Sequence, residues 1–343
     1  MKSTIAVVLA AALAMPAWSN CIGDINGDRV VDGVDLGTLL AQWGPCESSP
    51  CGADLDGNGL IDGVDLGLLV AAWGDCAVTV PGWATLIEAE PDPLVVPDPA
   101  WRAAIRATGL AWRVRHRQTG IEMLLIPGGA FEMGCILGSA QHGCTAEEQP
   151  VHHVTLTNPF YLGRYEVTQA QWLARVGSNP SQFAGLPDSS NRPVERVTWS
   201  MVVIQFLRDQ IRLPTEAEWE FACRAGTQTP FYNGSTDDSS LGSIAWYADN
   251  SPDGTHAVGG RAANGFGLHD MLGNVWEWVH DRWSGYPSTP QVNPSTPPGG
   301  SQLDRVFRGG DWTSGSGVTR ASFRTPIQPG LSSSVGFRIA MSP

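Results

Sequence analysis

The chain carries no excess of positive charge, no long apolar run beyond its first residues, and no cysteine after Cys223. Each absence excludes something. A net charge of −13 with no basic stripe repels phosphate backbones, so nucleic acid is not an expected partner. Past residue 19, nothing approaches the roughly 20 apolar residues that a spanning helix needs, so no transmembrane segment is expected. Without cysteine, the end of the chain supplies neither a disulfide nor a thiolate metal ligand.

What is present points to an exported, loop-rich protein. The 343 residues include 40 Gly and 25 Pro, which punctuate turns, and 14 Trp, whose large rings anchor loops. Residues 1–19 read as a secretory signal: Lys2, an apolar run from Ile5 to Met15, then Pro16 and Ala17-Trp18-Ser19 as a cleavage region. The residues before Cys21 do not fit a lipobox. The expected localisation is therefore secreted, periplasmic or cell-surface, where cysteines oxidise. The simplest pairing joins Cys21 to Cys46, Cys51 to Cys76 and Cys135 to Cys144, although sequence alone leaves other connectivities open. Cys223 is left over on a helix, where a lone cysteine is expected to be a buried free thiol.

Residues 20–76 hold two repeats, DINGDRVVDGVDLGTLLAQWG and DLDGNGLIDGVDLGLLVAAWG. The first places Asp24, Asn26, Asp28, Asp32 and Asp35 at loop positions 1, 3, 5, 9 and 12; the second places Asp54, Asp56, Asn58, Asp62 and Asp65 there. Val30 and Leu60 sit at position 7, where a backbone carbonyl serves. Calcium takes six to eight oxygens, and this spacing wraps them round one point. Leu36, Leu39, Leu40 and Trp43, like Leu66, Leu69, Val70 and Trp73, follow with helical spacing, and Gly44 and Gly74 are expected to end the helices. A loop feeding one helix, with Asp at position 12, resembles the dockerin repeat. Arg29 stands at position 6, where the sharp turn favours Gly. Gly33-Val34 and Gly63-Val64 stand where cellulosomal dockerins carry hydroxyls for cohesin. The resemblance implies calcium, and a cohesin-like or cell-surface partner for the repeats.

Residues 77–109 are rich in Pro and acids and read as an extended spacer, with a short helix from Pro99 capped by Asp98. AWRVRHRQTGIEMLLIPGG then alternates, turns at Thr119-Gly120 and alternates again, a hairpin signal. Thr168 with Gln171 and Thr215 with Glu218 form capping boxes that start two helices, with Gly177 and Gly226 at their ends and Trp172 and Trp219 facing the core.

From residue 110 to 343 the landmarks run IPGGAFEMG, EQPVHHVTL, FYLGRYEVTQAQW, PVERVTW, RLPTEAEWEFACRAG, NGFGLHDMLGNVWEW, RVFRGGDW and GFRIA. In this order they resemble the formylglycine-generating enzyme (sulfatase-modifying factor) family. That resemblance implies an α+β, loop-rich fold like C-type lectins, preceded here by a small α-helical calcium-binding unit. It implies a calcium site at Asp270, Gly273, Val275 and Glu277. It also implies a copper oxidase that turns a sulfatase cysteine into formylglycine, using two cysteines after the RGG segment. Those positions match Ser314 and Thr319, and a hydroxyl does not replace a thiolate on Cu(I). Copper is therefore not expected. The leading expectation is a non-catalytic module that binds a protein or carbohydrate ligand in a groove around Trp312, Ser314, Thr319 and Arg324. The alternatives are the family's oxidase and a purely structural surface protein with no small ligand. Cys135, His142, Cys144, His152 and His153 read as a disulfide with loop histidines, and no nucleophile elbow for a hydrolase occurs.

Overall fold

The computed structural model describes residues 21–46, 51–136, 143–296, 304–328, 330 and 334–343. The expected signal segment and His142 lie outside them. The chain divides into two compact units. One runs to Ala77 and takes in Ala107–Gly109; the other holds Val78–Arg106 and Leu110–Pro343.

In the first unit each repeat folds as a loop, a two-residue strand and a helix: β1 (Val30–Val31) and α1 (Gly33–Ala41), then β3 (Leu60–Ile61) and α2 (Gly63–Ala71). Two more short strands follow the helices, β2 (Gly44–Pro45) and β4 (Gly74–Asp75). Pairing is exchanged between repeats: β1 pairs with β4 and β2 with β3. Val31, Leu39, Ala53, Ile61 and Leu69 form the core. Gly44 and Gly74 do not close the helices. Gln42 and Ala72 are the caps, and the two glycines, at φ +123° and +118°, turn the chain into β2 and β4.

The exchanged pairing corrects the expected disulfides. Cys21 joins Cys76 and Cys46 joins Cys51, while Cys135 joins Cys144 as expected. Because the end of each repeat pairs with the loop of the other, the closing cysteine of one repeat meets the opening cysteine of the other. Neither repeat closes on itself.

The second unit begins earlier than the spacer reading implies. β5 (Ala84–Glu88) pairs with β6 (Arg113–His116), so part of the Pro-rich stretch is the edge of a sheet. The Asp98-capped helix is α3 (Pro99–Ala107). β6 and β7 (Glu122–Ile126) form the expected hairpin. With β10 (Phe160–Gly163) and β16 (Ala340–Met341) they complete a five-stranded antiparallel sheet, ordered β16-β10-β7-β6-β5. β8 (Gly129–Met133), β9 (His152–Leu156) and β12 (Gln291–Val292) make a second sheet. β11 (Trp276–Arg282), β13 (Arg305–Arg308), β14 (Arg324–Ile327) and β15 (Val335–Gly336) make a third, ordered β14-β13-β11-β15.

The helices are α4 (Gln169–Val176), the short α5 (Trp199–Met201) and α6 (Glu216–Arg224). Both capping boxes are present: Gln171 N and Glu218 N donate to the hydroxyls of Thr168 and Thr215, and the carboxamide and carboxylate accept in return. Gly177 caps α4 at φ +85°, and α6 ends on Ala225 in the left-handed region with Gly226 following it as the C′ residue at φ +93°. Trp112, Trp172, Trp219 and Trp278 are fully buried, and they give a unit with little regular structure its core.

Candidate functional site

The loop between β13 and β14 is built on a close backbone approach. Gly309 and Gly310 have φ +97° and +79°, and a Cβ on Gly310 would lie 2.8 Å from Thr319 Oγ1. Buried Asp311 organises the turn: Ser314 Oγ (2.7 Å), Thr313 Oγ1 (2.9 Å) and Thr313 N (3.0 Å) donate to its Oδ1. Asp311 N donates back to Ser314 Oγ, and Thr319 Oγ1 donates to Gly315 O. Trp312 is half-buried, with its N–H on Asn274 O and its ring edge-to-face with Phe183 at 5.3 Å.

Of the four expected groove residues, Trp312 and Ser314 reach this turn's surface or just beneath it, and Thr319 supports it from inside. Arg324 does not line a groove. It is 2% exposed, its guanidinium meets both Glu216 oxygens at 2.7 Å, and it lies over the Trp283 and Tyr286 rings. A guanidinium stacked and paired in this way is satisfied inside the protein. Phe183 is a surface partner that sequence reading missed. Its N–H donates to buried Glu195, and its ring lies against Gly254, where a Cβ would come within 2.3 Å.

Buried arginines brace the loop at both ends. Arg308, just before it, pairs with Glu216 and Glu220; Arg324, just after it, shares Glu216; Arg320 pairs with Glu148 at 2.7 Å. Burial pushes Glu148 up, but the Arg320 guanidinium outweighs it and holds the carboxyl below its usual range. The donors at Ser314 and Thr319 are oxygens engaged in these internal bonds. Cys223, the free thiol among the described residues, is fully buried, and burial pushes it up to about 12. These residues do not fit Cu(I), which prefers thiolate sulfur.

Around the 270–277 turn, Asp270 and Asn274 hold positive φ, and Gly273 passes so close to Trp246 O that a Cβ would lie 2.2 Å away. Asp270 is buried; its Oδ2 accepts from Gly259 N, and its Oδ1 has no hydrogen-bond partner among the described residues. Burial pushes Asp270 up to about 6. Glu277 is committed to Arg338 and to Trp219 Nε1. Glu166, which sequence reading also missed, accepts from Asn274 Nδ2 and Val275 N. Burial, then the charges of Asp270 and Glu277, push it well above the usual range. Of these three carboxylates Glu277 holds the direct ion pair with Arg338, whose charge also reaches Glu166 and Asp270. The unmet Oδ1 fits a cation, whereas the Glu277 oxygens are already occupied.

In the first unit, oxygens of Asp24, Asp28 and Asp35 lie within 4.8 Å of one another, as do those of Asp54, Asp56 and Asp65. Asp35 Oδ1 accepts from Ile25 N and Asn26 N, and its Oδ2 from Asp32 N, so the loop backbone wraps round this carboxylate. Asn26 and Asn58 each donate to the neighbouring aspartate, Asp28 or Asp56. Asp32 and Asp62 also cap the helices, accepting from Val34 N and Val64 N at 2.7 Å. Arg29 takes the left-handed turn at φ +70°, where the other repeat has Gly59. Val30 and Leu60 lie in β1 and β3.

The second unit is thus a loop-rich α+β domain that presents one arginine-braced loop. The chain belongs to the family described as "Sulfatase-modifying factor enzyme 1-like domain", which residues 111–343 match. "Chaperone protein LppX" of Paenibacillus barcinonensis is 29% identical over 280 residues, spanning 64% of this chain and 89% of that protein. The "Formylglycine-generating enzyme" of Mus musculus is 34% identical over 190 residues, 49% of this chain and 50% of that enzyme. The chain therefore spans about half the length of the mouse relative. Among solved structures, "Treponema denticola variable protein 1" is similar with a TM-score of 0.56 and 28% identity, over 65% of this chain and 95% of that one. By name, then, the relatives include both an enzyme and a chaperone.

Proposed function

We propose that this is an exported, non-catalytic binding module, which holds a protein or carbohydrate ligand at the braced loop around Trp312 and Phe183. The carrying observation is the chemistry at Ser314 and Thr319. Both offer hydroxyls tied into internal hydrogen bonds where the family's oxidase needs thiolates. Three disulfides, and no helix among the described residues long and apolar enough to cross a membrane, are consistent with export. The test offers the purified chain Cu(I), oxygen and a CxPxR-type peptide. No aldehyde is expected; copper-dependent turnover would replace this reading with the oxidase. Saturable binding of a glycan or peptide from an array, lost in Trp312→Ala, would support the module. Binding unchanged by Trp312→Ala and by Phe183→Ala would move the site elsewhere.

The repeats are proposed as dockerin-like calcium loops used for tethering or assembly, with the converging carboxylates of Asp24, Asp28 and Asp35, and of Asp54, Asp56 and Asp65, as their ligands. In the second unit, Asp270 with its unmet oxygen is the proposed calcium anchor. Calcium should give heat in titration calorimetry, and Asp35→Ala and Asp65→Ala should each remove one site. Titrations identical to wild type in both variants would dismiss the loops as metal sites.

A further inference from the structure

Each disulfide of the first unit lies against one acidic loop and holds both ends of its first half. Around the first loop, Cys21 O accepts from Asp24 N, and Cys76 N donates to Arg29 O at position 6. The Cys21–Cys76 bridge thus ties a residue three before position 1 to the strand hydrogen-bonded at position 6. Its Cys76 sulfur lies 4.0 Å from Asp24 Oδ2. The second loop repeats the arrangement: Cys51 O accepts from Asp54 N, Cys46 N donates to Gly59 O, and the Cys46 sulfur lies 3.7 Å from Asp54 Oδ2. Each loop therefore has its own clamp, made half from the other repeat. All four cysteines are half-buried.

We infer that each disulfide sets the calcium affinity of the loop it clamps, so that the two loops respond separately to thiol reductants. The inference rests on the calcium reading of the repeats. Closed, the clamp holds the position-1 carboxylate against the rest of the ligand set, so less ordering remains to be done when the cation arrives. A dithiol reductant opens it by exchange: the cystine takes up two electrons and two protons and becomes two thiols, and the dithiol becomes a cyclic disulfide. The loop start then loses its covalent tie and is held to position 6 by hydrogen bonds, Arg29 N donating to Asp24 Oδ2 and Gly59 N to Asp54 Oδ2. Linkage makes the effect reciprocal, so bound calcium must resist opening of the same bridge by the same factor.

The full oxidised chain is titrated with calcium in a calorimeter beside Cys46→Ser/Cys51→Ser and Cys21→Ser/Cys76→Ser, with Asp35→Ala and Asp65→Ala assigning the signals. The first pair should weaken the Asp65 loop about tenfold and leave the Asp35 loop within about twofold; the second should do the reverse. Since a serine variant can unfold, wild type supplies a second readout. Dithiothreitol opening of each bridge, followed by thiol labelling and mass spectrometry, should need about tenfold more reductant at equilibrium with calcium present. Two calcium sites of unchanged affinity in both variants, with reduction indifferent to calcium, would overturn the coupling and leave the calcium reading standing. Absence of any repeat-dependent heat in oxidised wild type would overturn both.

Discussion

Asp281 is a buried carboxylate whose three hydrogen bonds do not offset its surroundings. Its oxygens accept from Glu216 N, Thr296 N and Thr296 Oγ1. Burial, then the nearby Glu216 charge, nevertheless push it up from the ordinary 3.8 to about 6. A raised carboxyl binds its proton more tightly in the folded chain than in the unfolded one. Its stabilising contribution is therefore complete below the unfolded value and is lost as pH rises through about 6. The shift corresponds to about 3 kcal/mol. Asp281→Asn has no proton to lose. Between acidic and neutral pH, wild type should therefore fall by about 3 kcal/mol relative to that variant. Urea unfolding of both proteins at the two pH values checks this, and a constant difference would refute it.

At the scale of elements, the ion pairs of the second unit, those of the braced loop among them, differ sharply in burial. Arg320 and Glu148 are almost wholly inside, whereas Arg106 and Glu90 are 35% and 40% exposed. Removing one partner of a buried pair strands the other charge at a cost of about 3–5 kcal/mol, whereas an exposed pair is worth less than about 1 kcal/mol. Glu148→Gln should accordingly destabilise the second unit by about 3–5 kcal/mol, and Glu90→Gln by less than about 1 kcal/mol. Near-equal losses in denaturant melts would contradict the brace. None of this bracing was legible in the sequence, because arginine and glutamate are ordinarily surface residues and their partners here lie far apart in the chain. Arg324 was misread for that reason, and Phe183 was missed because its contact with Trp312 is equally distant. Local signals fared better. The capping boxes at Thr168 and Thr215, the hairpin turn at Thr119-Gly120 and the Asp98 cap each involve residues a few positions apart, and each is present. The strand exchange between repeats is non-local, so matching Cys spacings suggested two self-closed loops where the chain makes two crossed ones.

Across the whole molecule, two cores carry two kinds of stability. The second unit buries a large apolar cluster, four of its tryptophans completely. The first has five buried core residues among the described residues, fewer than a unit of its size needs on hydrophobic burial alone, and it adds two disulfides. Those two bridges are unequal as cross-links. Cys21–Cys76 spans a separation of 55 residues and Cys46–Cys51 only 5. On chain entropy they are worth about 4 and about 2 kcal/mol. Scanning calorimetry of the full chain should therefore show two transitions. Cys21→Ser/Cys76→Ser should lower one of them strongly, Cys46→Ser/Cys51→Ser should lower the same one about half as much, and the other should stay in place in both variants. A single transition that moves as a whole would mean that the two cores melt together and that the crossed disulfides stabilise the entire chain.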